Sequence, residues 1–480
     1  MKPKTLLQLL TLLALLVSTL AAQEIPITTS SDEARALYIR ARELSERFHP
    51  VEPKQLLEQA LAKDSTFALA MHDLAFFQTT NKGIRSYITK ALTLSEKASQ
   101  GEQLGIQIAQ ANLNGDQTKR KELTEQLLKL YPNDKRAQQA MGTFYYFTLN
   151  QPEAGIPFLK KAIDLDPAFH SAYNNLGYAY ASLGNYDEAE KALKKYTELL
   201  PNESNPHDSY AEILMKQGKF EESIVEYKKS LVIDPKFSLS QVGLGTNYVF
   251  IGKADDGRKQ FDKMYKQASD DNDRAQALIA MTKSYLIEGR FDKAMEEQRK
   301  NYALSQKQND PFGMSGDLLL SAWILSEDGK AKEASMEVHK AAEILKSVPR
   351  GQAEAMALGL LRTDTRVETK SGDISKTKSK LEEYKKKAES LGNAMNMKLA
   401  HLFASIIASR EKRYDEALSE LQDADQLYAY TLFITAQVHA AKGDKEKAKD
   451  FFNKAANFND MSWEYAFVRK KAKEALAKLK

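Results

Sequence analysis

Proline closes successive stretches of this 480-residue chain at Pro132, Pro167, Pro201 and Pro235, spaced by 35, 34 and 34 residues. A second marker keeps the same beat, because Gly115, Asn150, Gly184, Gly218 and Gly252 fall about midway between the prolines. Two independent turn signals with one period mark a repeat array. Within a unit the apolar spacing is helical: Tyr186, Ala189, Leu193 and Tyr196 line one face after Gly184, and Tyr173, Leu176, Gly177 and Tyr180 form a facing stripe before it. Asp187 and Glu188 open the second of these helices, where the helix dipole favours negative charge. Each unit therefore reads as an antiparallel helix pair. Such a pair cannot bury its own apolar face, so neighbours must stack.

The beat persists beyond these units with drift. Upstream, Asp32 to Phe48 with Pro53 to Ala62, and Ala68 to Thr79 with Ile84 to Ala98, read as two pairs. Downstream the turn markers are Gly289, Gly329, Gly372, Lys412 and Gly443, at intervals of 40, 43, 40 and 31 residues, so the helices lengthen. The expected fold is all-α, a right-handed superhelical solenoid of about eleven antiparallel pairs. Residues 463–480 form a basic terminal helix, with Arg469, Lys470, Lys471, Lys473 and Lys478, that caps the stack. A bend is expected at Asp270 to Asp273, dividing an array at 23–270, in best register over 102–270, from a more divergent one at 271–462.

The beginning reads differently. Met1-Lys-Pro-Lys4, an apolar run from Leu6 to Leu20 and the small residues Ala21 and Ala22 form the pattern of a cleavable secretory signal at 1–22. The run is shorter than the roughly 20 residues a spanning helix needs, so an uncleaved anchor is the lesser expectation. Cysteine is absent, which removes disulfides, thiolate metal sites and thiol nucleophiles, and an exported chain without disulfides suits a bacterial periplasm. Loss of Lys2 and Lys4 takes the formal charge from +4 to +2, too near zero to draw the chain as a whole to nucleic acid or anionic lipid.

The residues Tyr173, Leu176, Gly177, Tyr180, Gly184, Tyr186, Ala189, Leu193 and Pro201 resemble the tetratricopeptide repeat, with Tyr for Trp at its first position and Leu for Phe at its sixth. Tyr210, Ala211, Leu214, Gly218, Phe220, Ser223, Tyr227 and Pro235 repeat the match in register. The resemblance implies an inner groove lined by the first helix of each pair. Carried over position by position, that lining is Phe144 and Phe147, then Asn174 and Tyr178, then Asp208 and Glu212, then Val242, Thr246 and Phe250. Aromatics beside carboxylates suit an extended or helical peptide. The family's basic clamp for a chaperone C-terminus needs Lys and Asn where Ala140, Phe144, Asn174, Tyr178, Asp208 and Glu212 stand, so that role is not expected.

No catalytic pattern accompanies the repeats, and no cofactor or metal is expected. His49, His72, His170, His207, His339, His401 and His439 never fall at zinc-ligand spacing. Gly243-Leu-Gly245 lies in a helical stripe with no strand before it, which fits close helix packing and not a phosphate cradle. Ser375-Lys376-Thr377-Lys378 matches S-x-x-K but lacks its companion motifs, and its lysines fit a solvated helix face. The acidic runs Asp255-Asp256 and Asp270 to Asp273 lack calcium-loop spacing and read as helix caps. Asn202-Glu-Ser204 would matter as a glycosylation sequence only in a eukaryotic host. The leading expectation is a non-enzymatic protein-binding scaffold of the cell envelope, with a peptide or protein segment as partner. Two alternatives remain at this point, a regulatory relative of kinase-linked or DNA-binding-domain-linked repeats and a divergent helical enzyme or glycan-processing protein.

Overall fold

The computed structural model describes residues 24–479 apart from 50, 79–80, 349 and 391–393, so the expected signal at 1–22 lies outside the described residues. Among the described residues there are 25 α-helices and no strand, and no helix is long and apolar enough to cross a membrane. The chain divides into two compact units, Met1–Ser209 and Tyr210–Lys480. The expected bend at 270–273 therefore lies inside the second unit.

Unit 1 is a row of antiparallel pairs. They are α1 (Asp32–Glu46) with α2 (Glu52–Lys63), α3 (Ala68–Leu74) with α4 (Asn81–Leu94), α5 (Gln100–Leu113) with α6 (Gln117–Leu130), α7 (Lys135–Thr143) with α8 (Pro152–Leu165), and α9 (His170–Ala181) with α10 (Tyr186–Leu199). The boundary between units falls within α11 (Ser204–Lys216), which pairs with α12 (Phe220–Ile233). Unit 2 continues with α13 (Ser238–Phe250) and α14 (Ala254–Gln267), α15 (Asp271–Ile287) and α16 (Phe291–Lys307), and α17 (Pro311–Glu327) and α18 (Ala331–Leu345). Then follow α19 (Arg350–Ser371) and α20 (Ile374–Ser390), α21 (Ala394–Arg410) and α22 (Tyr414–Asp423), α23 (Ala429–Lys442) and α24 (Lys445–Ala456), and last α25 (Trp463–Lys478). Twelve pairs and a terminal helix thus stand where the sequence suggests about eleven pairs. Each unit is a helical-repeat solenoid.

The turn markers explain the pairing. All ten, from Gly115 to Gly443, have positive φ, including Asn150 at 53° and Lys412 at 61°. A left-handed residue after a helix lets the next amide close back onto its last carbonyls and reverses the chain. Of the acidic runs expected to cap, Asp270 accepts from the Asp273 amide to start α15, whereas Asp255 and Asp256 lie in the first turn of α14 and pair with Arg258 and Lys259 instead; Asp134 accepts from the Arg136 and Ala137 amides to start α7.

At several contacts within and between pairs, close approach depends on missing side chains. A Cβ at Gly177 would sit 2.5 Å from Leu193 Cγ, and one at Gly142 would sit 2.7 Å from Leu159 Cγ. In unit 2 the same place is taken by rings, with Tyr227 Cζ 2.1 Å from a Cβ at Gly243 and Phe261 Cε1 2.2 Å from one at Gly245. The Gly243-Leu-Gly245 string is therefore a packing seam. Tyr227 and Phe261 are almost wholly buried by it.

Unit 1 has one element the repeat pattern does not include. Residues 24–30 run extended across three successive turn regions, alternately exposed and half-buried along their length. The Ile25 amide donates to Asp134 Oδ2 at 2.9 Å, the Thr28 amide to Glu102 Oε1 at 2.8 Å, and the Ser30 amide to Asp64 Oδ2 at 2.8 Å. Ile25 and Ile27 pack into the cores beneath. Burial works against ionisation of Asp64, but hydrogen bonds from Thr29, Thr66 and Ser30 outweigh it and hold its carboxyl well below the usual range. Elsewhere in unit 1, Arg136 Nε donates to Glu46 at 2.8 Å and His49 meets Glu203 at 3.0 Å, so the end of α1 and the residues after it reach α7, three pairs on, and the turn that follows α10, four pairs on.

Gly243→Ala is expected to destabilise the chain by about 1–3 kcal/mol through overpacking against Tyr227, despite the better helix propensity of alanine. Urea denaturation followed by circular dichroism checks this.

Candidate functional site

Three first helices of unit 2 are buried around most of their circumference. Positions 240–250 of α13, 317–326 of α17 and 429–439 of α23 are buried almost without interruption, as in a helix covered on every side. Their own second helices cover one side and neighbouring pairs another. The remaining cover is α25.

This terminal helix packs on the last pair, α23 and α24, and also reaches back to α15 and α13. Five successive residues, Tyr465, Ala466, Phe467, Val468 and Arg469, are buried. The Tyr465 ring lies 5.5 Å edge-on from Phe250 of α13, and the Phe467 ring lies 4.5 Å from Trp323 of α17. Trp463 receives the Lys283 ammonium of α15 over its face at 4.6 Å, while Lys283 Nζ donates to the Met461 carbonyl at 2.7 Å. Tyr428 donates to Glu464 at 2.6 Å, and Arg469 donates to the Phe250 carbonyl at 2.9 Å.

Glu327, at the end of α17, is the charged centre of this contact, with its side chain 2 % exposed. Tyr430 donates to it at 2.5 Å and Lys471 of α25 at 2.7 Å, and Lys370 lies 3.5 Å away. Burial pushes its carboxyl up, but the two lysines and these hydrogen bonds overcome that and bring it down to about 2. Nearby, the Arg366 guanidinium stacks 3.6 Å over Trp323.

One part of the first-helix face stays open. Leu239, Val242 and Thr246 of α13 face Gln276, Ile279 and Lys283 of α15 across a largely apolar pocket of about 150 Å³, walled at one end by Asp460, Met461 and Ser462. Burial lowers the pKa of Lys283, with Asp460 and Glu464 acting in the opposite direction.

Models of the tetratricopeptide repeat match residues 146–213 and 208–237. Over those residues the chain is similar to the tetratricopeptide repeat. Over 109 residues the chain is 28 % identical to Superkiller complex protein 3 of Mus musculus, a stretch that is 23 % of this chain and 7 % of that protein. Over 94 residues it is 24 % identical to small glutamine-rich tetratricopeptide repeat-containing protein 2 of Mycosarcoma maydis, covering 20 % of this chain and 27 % of that one. The chain thus spans a small part of the length of these relatives. A solved tetratricopeptide protein of Thermus thermophilus is 19 % identical with a TM-score of 0.33, covering 38 % of this chain and 98 % of that one. Repeats of this kind are in general protein–protein interaction scaffolds.

Placed on the repeats, the nine residues expected to line a groove separate. Val242 and Thr246 come together in the pocket. Phe250 does not face an open groove, because Tyr465 and Arg469 lie against it. Phe144 is 1 % exposed whereas Phe147 is 81 % exposed. The cause is a π-helical turn at Phe144–Thr148, whose wider winding takes the second ring off the face of the first. Asn174 and Asp208 are buried, and Tyr178 is half-buried with its hydroxyl donating to Ser209 at 3.2 Å. Glu212 is half-buried and paired with Lys216 at 3.2 Å. Sequence reasoning missed Glu327, Trp323 and the inward side of α25. The run Tyr465-Ala-Phe-Val468 was the available signal, since an end cap with a polar outer face does not need four adjacent apolar positions.

A carboxylate held below its ordinary range stabilises the fold above its unfolded pKa, and that contribution fades as pH falls towards the folded value. For Glu327 the window runs from about 4.5 down to about 2. Glu327→Gln is expected to cost roughly 3 kcal/mol at neutral pH and progressively less below pH 4.5. Denaturant midpoints of parent and variant across that window check it.

Proposed function

We propose that the chain is a non-enzymatic interaction scaffold of the bacterial cell envelope that holds a peptide or protein segment against the first-helix face of its repeats. The observation that carries this reading is the pocket between α13 and α15, where Val242, Thr246 and Ile279 form an apolar floor beside Lys283. An apolar recess with a few polar groups at its rim is what receives the anchoring side chain of a bound segment. The exposed Leu239 at its mouth extends the apolar contact beyond the recess. Export rests on the signal-like beginning and the cysteine-free composition.

Binding is tested with the full chain on a peptide array followed by titration calorimetry of the selected sequences. Val242→Glu with Ile279→Glu is expected to weaken them by about tenfold or more, about 1.4 kcal/mol, with the thermal melt still cooperative. Equal affinity in that double variant places the site elsewhere. Expression in a bacterial host should yield a mature chain starting at Ala22 or Gln23 in the osmotic-shock fraction. A cytoplasmic chain retaining residues 1–22 overturns the assignment to the envelope.

A further inference from the structure

The scaffold reading concerns the open pocket, whereas the covered part of the first-helix face carries a separate inference. Side chains from four first helices converge on α25: Phe250, Lys283, Trp323 with Glu327, and Tyr430, with Tyr428 just ahead of α23. They enclose residues 465–469, while Lys470 is exposed and from Lys473 onward the helix is exposed or half-buried. We propose that this inner face of unit 2 is a receptor for a single aromatic and basic helix, that α25 is its resident ligand in cis, and that a helical segment of the same chemistry from another protein takes its place.

Three observations favour a recognition surface over a plain apolar core. The first is polar pairing at defined places along the helix. Glu464 meets Tyr428, Arg469 meets the Phe250 carbonyl, and Lys471 meets Glu327, so the direction and register of the occupant are specified. A buried charge pair penalises any occupant that leaves one partner without its counter-charge. The second is complementarity: the receiving side supplies aromatic rings and a buried carboxylate, and the occupant supplies Tyr465, Phe467, Arg469 and Lys471. This is a helix laid in a groove and read through two i, i+4 pairs, Tyr465 with Arg469 and Phe467 with Lys471. The third is attachment. One short segment, 457–462, joins α25 to α24, with Asn459 in the left-handed region at φ 55°. Displacement of α25 therefore needs no rearrangement of the helix pairs themselves.

Two measurements on the full chain test this. Native-state hydrogen exchange should show amides 463–472 opening in a step with a smaller denaturant dependence than the rest of unit 2. A fluorescent synthetic peptide of residues 461–479 should bind a chain loosened by Phe467→Ala and Lys471→Glu about tenfold more tightly than the unsubstituted chain. That binding should be lost when Glu327→Lys is added. Exchange of 463–472 only with global unfolding overturns the proposal, and so does a folded, loosened chain that ignores the peptide. If the loosened chain fails to fold, the exchange measurement on the unsubstituted protein decides alone. Val242, Thr246 and Ile279 stay intact throughout, so failure here leaves the pocket reading standing.

Discussion

A helix pair of this length has more apolar surface than its two members can hide from water, and the surplus has to be covered by a neighbour. The pairs can serve that need only if helices within and between them come close enough to present a continuous face. Gly142, Gly177, Gly243 and Gly245 permit the approach by leaving room for Leu159, Leu193, Tyr227 and Phe261. A seam of this kind is intolerant of added volume, because the facing side chains are already enclosed. Pairing, stacking and the inner faces of both units follow from it.

Stacking alone leaves the first helices with an uncovered side, and the two units meet this differently. In unit 1 the end of α1 reaches Arg136 through Glu46 and Glu203 through Arg47, just after the helix. In unit 2 the cover is a helix, whose rings and cations match the rings and the Glu327 carboxylate beneath it. The open pocket at Val242 and Thr246 is what remains between α13 and α15 beside this cover. Binding by the repeats therefore involves either a small recess that takes a side chain or a long surface that already holds a helix.

Much of the fold was legible because it is local. The ten turn residues that repeat in the sequence all occupy the left-handed region, and the helix stripes fall on the helices they predict. Val242 and Thr246 share a pocket because a regular α-helix preserves the register on which their assignment depends. Phe144 and Phe147 fail that test at a π-turn, whose hydrogen-bond shift leaves no clear trace in the order of residues. Phe250 fails for another reason, since its cover lies more than 200 positions away in the chain. The period-2 pattern Ile25, Ile27, Thr29 was also readable as an extended segment, but its docking on Asp64, Glu102 and Asp134 joins three units that periodicity treats as equivalent.

That extended segment changes how the beginning of the array can come apart. In a row held by nearest neighbours, the outermost unit has a single contact to lose and frays first. Residues 25–30 fasten three consecutive turn regions with one extended segment, so opening the leading pair breaks the Ser30 contact to Asp64 on a segment that is also held at Glu102 and Asp134. The segment acts as a lashing along the hem of the array. It makes several units at that end melt as one cooperative block.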